Sequence, residues 1–227
     1  AIQVSIGSIR AHKLRSFLTL LGLIIGVMTL ILVISIVQGA NVYVEEKVAN
    51  LGTNVFRVSR TPLAITDFQE FMRAQRTKPL EMSDVDAVRE TCRDCLEVGA
   101  EATATGTVKA GNEVGEDVNI RGVTANMADI GTTTVEEGRY ISHFEERSGS
   151  PACLLGSEVA ERLFPYGRAV GKTIRIANED HQVVGVAERI GTVLGQSQDN
   201  FVIIPISAFF KIFGPRRSVT IQVKASD

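Results

Sequence analysis

Apolar and polar positions follow one pattern up to about residue 44 and another after it. Residues 17–37 (FLTLLGLIIGVMTLILVISIV) are almost unbroken in apolar character. At about 1.5 Å rise per residue this run makes a helix about 31 Å long, matching a hydrocarbon core of about 30 Å. The pattern predicts a transmembrane helix over 17–38. A buried helix of a soluble core is rarely apolar on every face. A cleaved signal peptide is the closer rival, since Gly39-Ala40 follows the run. Its apolar region is normally only about 7–15 residues, so an uncleaved anchor is expected.

Beyond the span the periodicity shortens to that of strands and short helices. NVFRVSR (54–60) alternates imperfectly and ends at Pro62. A loop or irregular helix with Phe68, Phe71 and Met72 follows, and Ser83 reads as the N-cap of DVDAVRET. Strand-like stretches at 96–110 and 114–124 are broken by a turn at Gly111-Asn112. ACLLG (152–156) precedes a helix SEVAERLF, and NFVIIP (200–205) precedes SAFFKIFG, with Ser157 and Ser207 as expected N-caps. Strands at 172–177, 181–189 and 218–225 complete the series. The fold class is α+β: one N-terminal transmembrane helix, then a two-lobed mixed α/β domain over 45–227. Its length suits one domain or two small ones, and in the second case segments 45–112 and 197–227 form one subdomain with 113–196 inserted as the other.

Charge gives the span a direction. The first 44 residues carry Arg10, Lys13 and Arg15 and no acid, whereas the remainder holds 21 Lys+Arg against 26 Asp+Glu. Cations before the helix, and Glu45 and Glu46 after it, orient the N-terminus toward the cytoplasm and send 45–227 across the membrane. The lead-in 1–16 mixes Ile6, Ile9 and Leu14 with those cations, which suits a short helix lying on an anionic surface or a plain solvated segment. An acidic main domain with no basic stripe and no Trp argues against nucleic-acid binding.

Within the span Gly22 and Gly26 stand as G-x-x-x-G, and Thr29, Ser35 and Gly39 are expected near the same side. Small residues let helix backbones approach in lipid, so a helix-packing role is expected for Gly22, Gly26, Thr29 and Ser35. The span holds no ionisable residue, hence no evident proton relay or metal ligand.

The order of motifs is recognisable. SIRAHKLRSFLTLLGLIIGV, LGTNVFRV (51–58), SDVDAV (83–88), Gly138-Arg139, LLGSEVAERLFP (154–165), VGKTIRI (170–176), VVGV (183–186) and FVIIP (201–205) together resemble the MacB-like, FtsX-related ABC transporter permeases. The similarity covers the first membrane helix and the periplasmic core domain. It implies a two-lobed periplasmic domain serving mechanical coupling or partner docking, in the bacterial inner membrane. It also implies a cytoplasmic ATPase partner, engaged through a loop between the second and third membrane helices. In that family three more helices follow a position near Ala225, and this sequence stops at Asp227.

Two readings result. The first, which the single span favours, is a non-catalytic accessory subunit whose partners are other membrane-protein subunits of a transporter, respiratory or photosynthetic assembly, and the lipid bilayer. The second is the N-terminal part of a permease that couples ATP hydrolysis to periplasmic efflux, lipoprotein release or regulation.

Apparent chemistry is thin. Gly171-Lys172-Thr173 lacks the phosphate-loop glycine, since Tyr166 stands five residues earlier, and a strand rather than a helix follows. Cys92 and Cys95 form C-x-x-C without a second pair for zinc, and they follow a helix C-terminus, where the dipole does not stabilise a thiolate. A structural disulfide, or two ordinary thiols, is what remains, and the disulfide is expected on the periplasmic side. Cys153 lies in an apolar strand and reads as core. His12, His143 and His181 are scattered, and Glu136, Glu137, Glu145 and Glu146 are expected as a solvated face rather than an acid–base pair. No cofactor, metal or catalytic residue is expected.

Overall fold

The computed structural model describes residues 13–49, 54–60, 77–193 and 196–226. They belong to two compact units, Ala1–Asn50 and Leu51–Asp227.

The first unit is helix α1 (Lys13–Ala49), 37 residues. Its stretch Lys13–Gly39 has a mean hydropathy of 3.0 and is nowhere buried. Two expected boundaries move. Lys13, Leu14 and Arg15 belong to this helix rather than to a separate lead-in, and Arg10 lies outside the described residues. At the other end α1 runs past residue 38 through Glu45 and Glu46, so the domain starts after Asn50 rather than at 45. The end of an apolar run does not end a helix. Residues 38–49 contain no Pro and several good helix formers, so the backbone continues.

The second unit runs β1 (Val55–Val58), α2 (Met82–Thr91), β2 (Cys95–Ala110), β3 (Glu113–Val123), α3 (Met127–Ile130), β4 (Val135–Gly138) and α4 (His143–Ser148). It continues with β5 (Ala152–Leu155), α5 (Ser157–Leu163), β6 (Thr173–Ile176), β7 (Glu179–Ala187), β8 (Thr192–Val193), β9 (Gln196–Ser197), β10 (Phe201–Pro205), α6 (Ile206–Phe213) and β11 (Thr220–Ala225). The expected segment with Phe68, Phe71 and Met72 lies outside the described residues.

One nine-stranded sheet has the order β1-β11-β2-β3-β10-β5-β7-β4, with β6 bonded to both β2 and β7. The length of β2 permits this. Its first half pairs with β11, from Cys95 to Glu101, and its far end, Val108 and Lys109, pairs with β6. The ladder β2-β3-β10-β5-β7-β6 therefore closes on itself, which removes free edges from those six strands. Strand pairs β3/β10 and β5/β7 are parallel and the other pairs of this sheet antiparallel.

Alternation sorts the side chains. Ala100, Ala102, Ala104, Ile120, Leu155, Ile174, Ile176, Val183, Val202 and Ile204 join Val85 of α2, Val159 of α5 and Phe209 of α6 in the main core. Gly122 admits Phe209, because a Cβ there would sit 2.3 Å from the Phe209 Cβ. A smaller cluster on the other face gathers Val123, Met127, Ile130, Ile141, Leu154, Phe201 and Ile203.

This arrangement corrects the expected inserted subdomain. A cut at 113 passes through the β2–β3 hairpin, which pairs from Glu101↔Val123 to Ala110↔Glu113. One core also joins Val98, Ile221 and Val223 of the flanks to Ile120, Leu155 and Val183 of the middle segment. Gly111, at φ +59°, makes a hairpin turn rather than a linker. The expected N-caps move as well. Glu81 caps α2, and its N–H donates to the Asp84 carboxylate at 2.8 Å, so Ser83 is already helical. Gly156 and Pro205 occupy the N-cap positions of α5 and α6, which places Ser157 and Ser207 inside the first turns.

Candidate functional site

The first and last strands of the domain lie side by side. β1 is antiparallel to β11, with Val55 opposite Lys224 and Val58 opposite Ile221. The Ala225 N–H donates to the Asn54 carbonyl at 2.8 Å. On the other side of β11, the N–H and the hydroxyl of Ser226 both donate to the Asp94 carbonyl, at 2.9 and 3.1 Å. Asp94 lies in the three-residue link 92–94 between α2 and β2, and a Cys92–Cys95 disulfide closes residues 92–95 into a ring. The link begins where α2 ends, with the Cys92 N–H donating to the Val88 carbonyl at 2.9 Å.

Of the acidic residues expected as a solvated face, Glu136 is exposed, whereas Glu137, Glu145 and Glu146 are engaged by other segments. Glu145 is buried, and its carboxylate accepts from both terminal nitrogens of Arg139, at 2.7 and 2.8 Å, and from the Ser142 N–H and hydroxyl. The guanidinium contact outweighs the burial that opposes it, and the carboxyl is lowered to about 2. Glu146 accepts from the Ala125 N–H at 2.8 Å, and its carbonyl accepts from the Ser207 hydroxyl of α6. Helix α4 is thereby tied to the β3–α3 connection and to α6. Glu137 pairs with Arg168 at 3.1 Å. The sequence did carry the signal: Ser142-His143-Phe144-Glu145 is a capping box.

A second cluster surrounds Glu101, with Arg57 and Arg121 each at 3.9 Å and the Gln222 amide donating at 2.9 Å. Arg121 lies over the Phe201 ring at 4.6 Å. Burial and the nearby Glu101 carboxylate push the Tyr140 hydroxyl well up, so it stays neutral. His181 is fully buried opposite Ile174, and burial lowers its imidazole below the ordinary value. Cys153 is buried in β5, and burial raises its thiol far above its usual range. Asp199 accepts from the Ile190 and Gly191 N–H groups at 2.8 and 2.7 Å and fixes the loop after β7. Each of these carboxylates is engaged in holding one segment to another. Among the described residues no group of three or more His, Cys, Asp or Glu is placed to hold a metal.

On α1 the expected packing stripe divides. At about 100° per residue, Gly22, Gly26 and Thr29 fall within about 60° of one another, whereas Ser35 lies about 140° from Gly22. Ser35 shares its face with Leu23, Ile24, Val27, Met28, Ile31 and Leu32. A Cβ at Gly22 or Gly26 would meet nothing within 4 Å. The Thr29 hydroxyl donates to the Ile25 carbonyl at 2.8 Å, so it is satisfied within its own helix. Lys13 and Arg15 sit in its first described turn.

The family model for the MacB-like periplasmic core domain matches residues 16–227. The chain belongs to this family of MacB-like ABC transporter permeases. Among curated relatives, the macrolide export ATP-binding/permease protein MacB of Mannheimia succiniciproducens is 26% identical over 227 residues, across 100% of this chain. MacB of Brucella abortus is 31% identical over 233 residues, again across 100% of this chain. In both cases the match covers 34% of the relative, so the chain spans about a third of their length. The periplasmic region of MacB from Actinobacillus actinomycetemcomitans has a similar fold, with a TM-score of 0.66, 21% identity and coverage of 80% of this chain and 79% of that one. The extracellular domain of the ABC-type transporter YknZ from Gram-positive bacteria matches with a TM-score of 0.57 and 20% identity, over 66% of this chain and 74% of that one.

Proposed function

We propose that these residues are part of a MacB/FtsX-type permease: the first membrane helix and the domain held outside the inner membrane. In this reading the N-terminus is cytoplasmic, a partner ATPase hydrolyses ATP in the cytoplasm, and the domain transmits the motion that drives efflux, lipoprotein release or regulation. Its own role is mechanical and not catalytic. The observation that carries the reading is the β1–β11 pair. A domain looped out between two membrane helices needs its first and last strands together, and here Ala225 bonds to Asn54. The relatives support it over the accessory-subunit reading, since those that match the whole chain are named as ATP-binding/permease proteins.

The test uses the native gene product in its own membranes. Tyr166 is fully exposed, so a Tyr166→Cys variant reports which side the domain occupies. Labelling of intact spheroplasts by a membrane-impermeant maleimide, together with an ATPase recovered on mild solubilisation, is the expected result. Labelling only after lysis contradicts the orientation, and a lone chain with no ATPase contradicts the permease reading.

A further inference from the structure

The Cys92–Cys95 ring lies against the last residues of the domain. Three consecutive features converge there. Helix α2 ends on Cys92, the Asp94 carbonyl takes both donors of Ser226, and Cys95 is the register partner of Ala225 across an irregularity in the β2–β11 ladder. The end of β11 is thus held between Asn54 on one side and the disulfide ring on the other.

We infer that this disulfide is a thiol-sensitive latch that fixes the end of β11. A four-residue ring removes little entropy from the unfolded chain, so the bond adds little to global stability. What it restricts is the link itself. With the ring closed, the Asp94 carbonyl is held in one orientation. With it open, Arg93 and Asp94, both exposed, are free to turn and Ser226 loses its acceptor. Both cysteines are half-buried rather than enclosed, so a small dithiol can reach them, whereas Cys153 is buried and inert. The chemistry balances with a dithiol as reductant. Its thiolate attacks one sulfur and breaks the bond between Cys92 and Cys95. Its second thiol then displaces the mixed disulfide, leaving two protein thiols and an oxidised dithiol.

Hydrogen–deuterium exchange on the whole protein in detergent tests this, comparing the oxidised form, the form reduced with dithiothreitol and a Cys92→Ser/Cys95→Ser variant. Exchange in peptides covering 222–226 and 92–96 is expected to accelerate by about tenfold on reduction, with peptides of β10 unchanged, as for a local opening. The double variant is expected to match the reduced form, and Ser226→Ala to reproduce part of the acceleration without touching the thiols. Unchanged exchange at 222–226 overturns the latch, as does acceleration spread evenly over the domain. Alkylation of Cys92 and Cys95 in unreduced protein isolated from membranes overturns it too.

Discussion

The face of the sheet covered by α2, α5 and α6 is packed by aliphatic and aromatic side chains, whereas the face covered by α3 and residues 139–146 adds ion pairs and hydrogen bonds to a smaller apolar cluster. On the first, Phe209 lies against Gly122 and is wholly buried among Ile and Val side chains. On the second, Arg139 grips Glu145, Glu146 reaches the Ala125 backbone, and the Asn126 amide donates to Glu97 and to the Val98 carbonyl. Apolar packing is insensitive to pH and depends on volume. Polar ties depend on protonation and geometry. The carboxylate ties therefore give the second face its own response to acid, distinct from that of the apolar packing.

The largest effect separating the faces is expected at Phe209. Phe209→Ala leaves a cavity in the main core and should cost about 4 kcal/mol in urea unfolding of the detergent-solubilised chain. Gly122→Ala attacks the same contact from the other side by overpacking, and about 2 kcal/mol is expected. Equal unfolding midpoints for Gly122→Ala and the parent would show that the contact gives way.

On the polar face, Glu145→Gln should cost about 2 kcal/mol at neutral pH, because it exchanges a charge-assisted pair for a weaker one. Its pH signature is more specific. The folded carboxyl sits at about 2, below its ordinary value of 4.5, so its contribution is complete above about 4.5 and fades as pH falls toward 2. The variant should lack that part of the acid slope. Identical slopes for parent and variant would remove Glu145 from the account.

A smaller effect is expected at His181, a buried imidazole opposite Ile174. Its imidazole is lowered by burial, so the unfolded state binds the proton more readily. Stability should decline as pH drops below about 6.5, the ordinary imidazole value. His181→Phe should flatten that region of the curve. The smallest change is expected at Arg175 and Asp180, a solvent-exposed pair, where Asp180→Asn should leave the melting temperature as it was.

What was legible in the sequence follows the same division. The membrane-length helix, the two long strands either side of Gly111-Asn112 and the apolar runs of β5 and β10 all follow from local pattern, because burial on one or both faces leaves a periodic trace. Ring closure by β6 left none, since register between distant strands is not a local property. Neither did the pairing of β1 with β11, which joins residues at opposite ends of the domain. The caps at Ser83, Ser157 and Ser207 were misplaced by one or two residues because serine is favoured both at a cap and in the first turn that follows. Ala177 turns the β6–β7 hairpin at φ +53°, a conformation alanine gives no sign of adopting. Glu145 shows a different limit. The S-x-x-E pattern around it was visible, but the partnership with Arg139 depends on how β4 delivers the chain to α4. Composition had also grouped Ser35 with Gly22 and Gly26, which helical geometry separates.

The central claim is that the domain is held by both ends, with β1 and β11 paired in the intact membrane protein. Cysteines placed at Val55 and Lys224, which lie directly opposite in that pair, test it most directly. Strand partners of this kind have Cα atoms about 4.5–5.5 Å apart, within reach of a disulfide. Mild oxidation of native membranes should link the two within one chain in high yield, while either single variant gives no intramolecular product. If both cysteines react with maleimide yet fail to join, the two ends of the domain are not together, and the reading of a loop held between membrane helices is wrong.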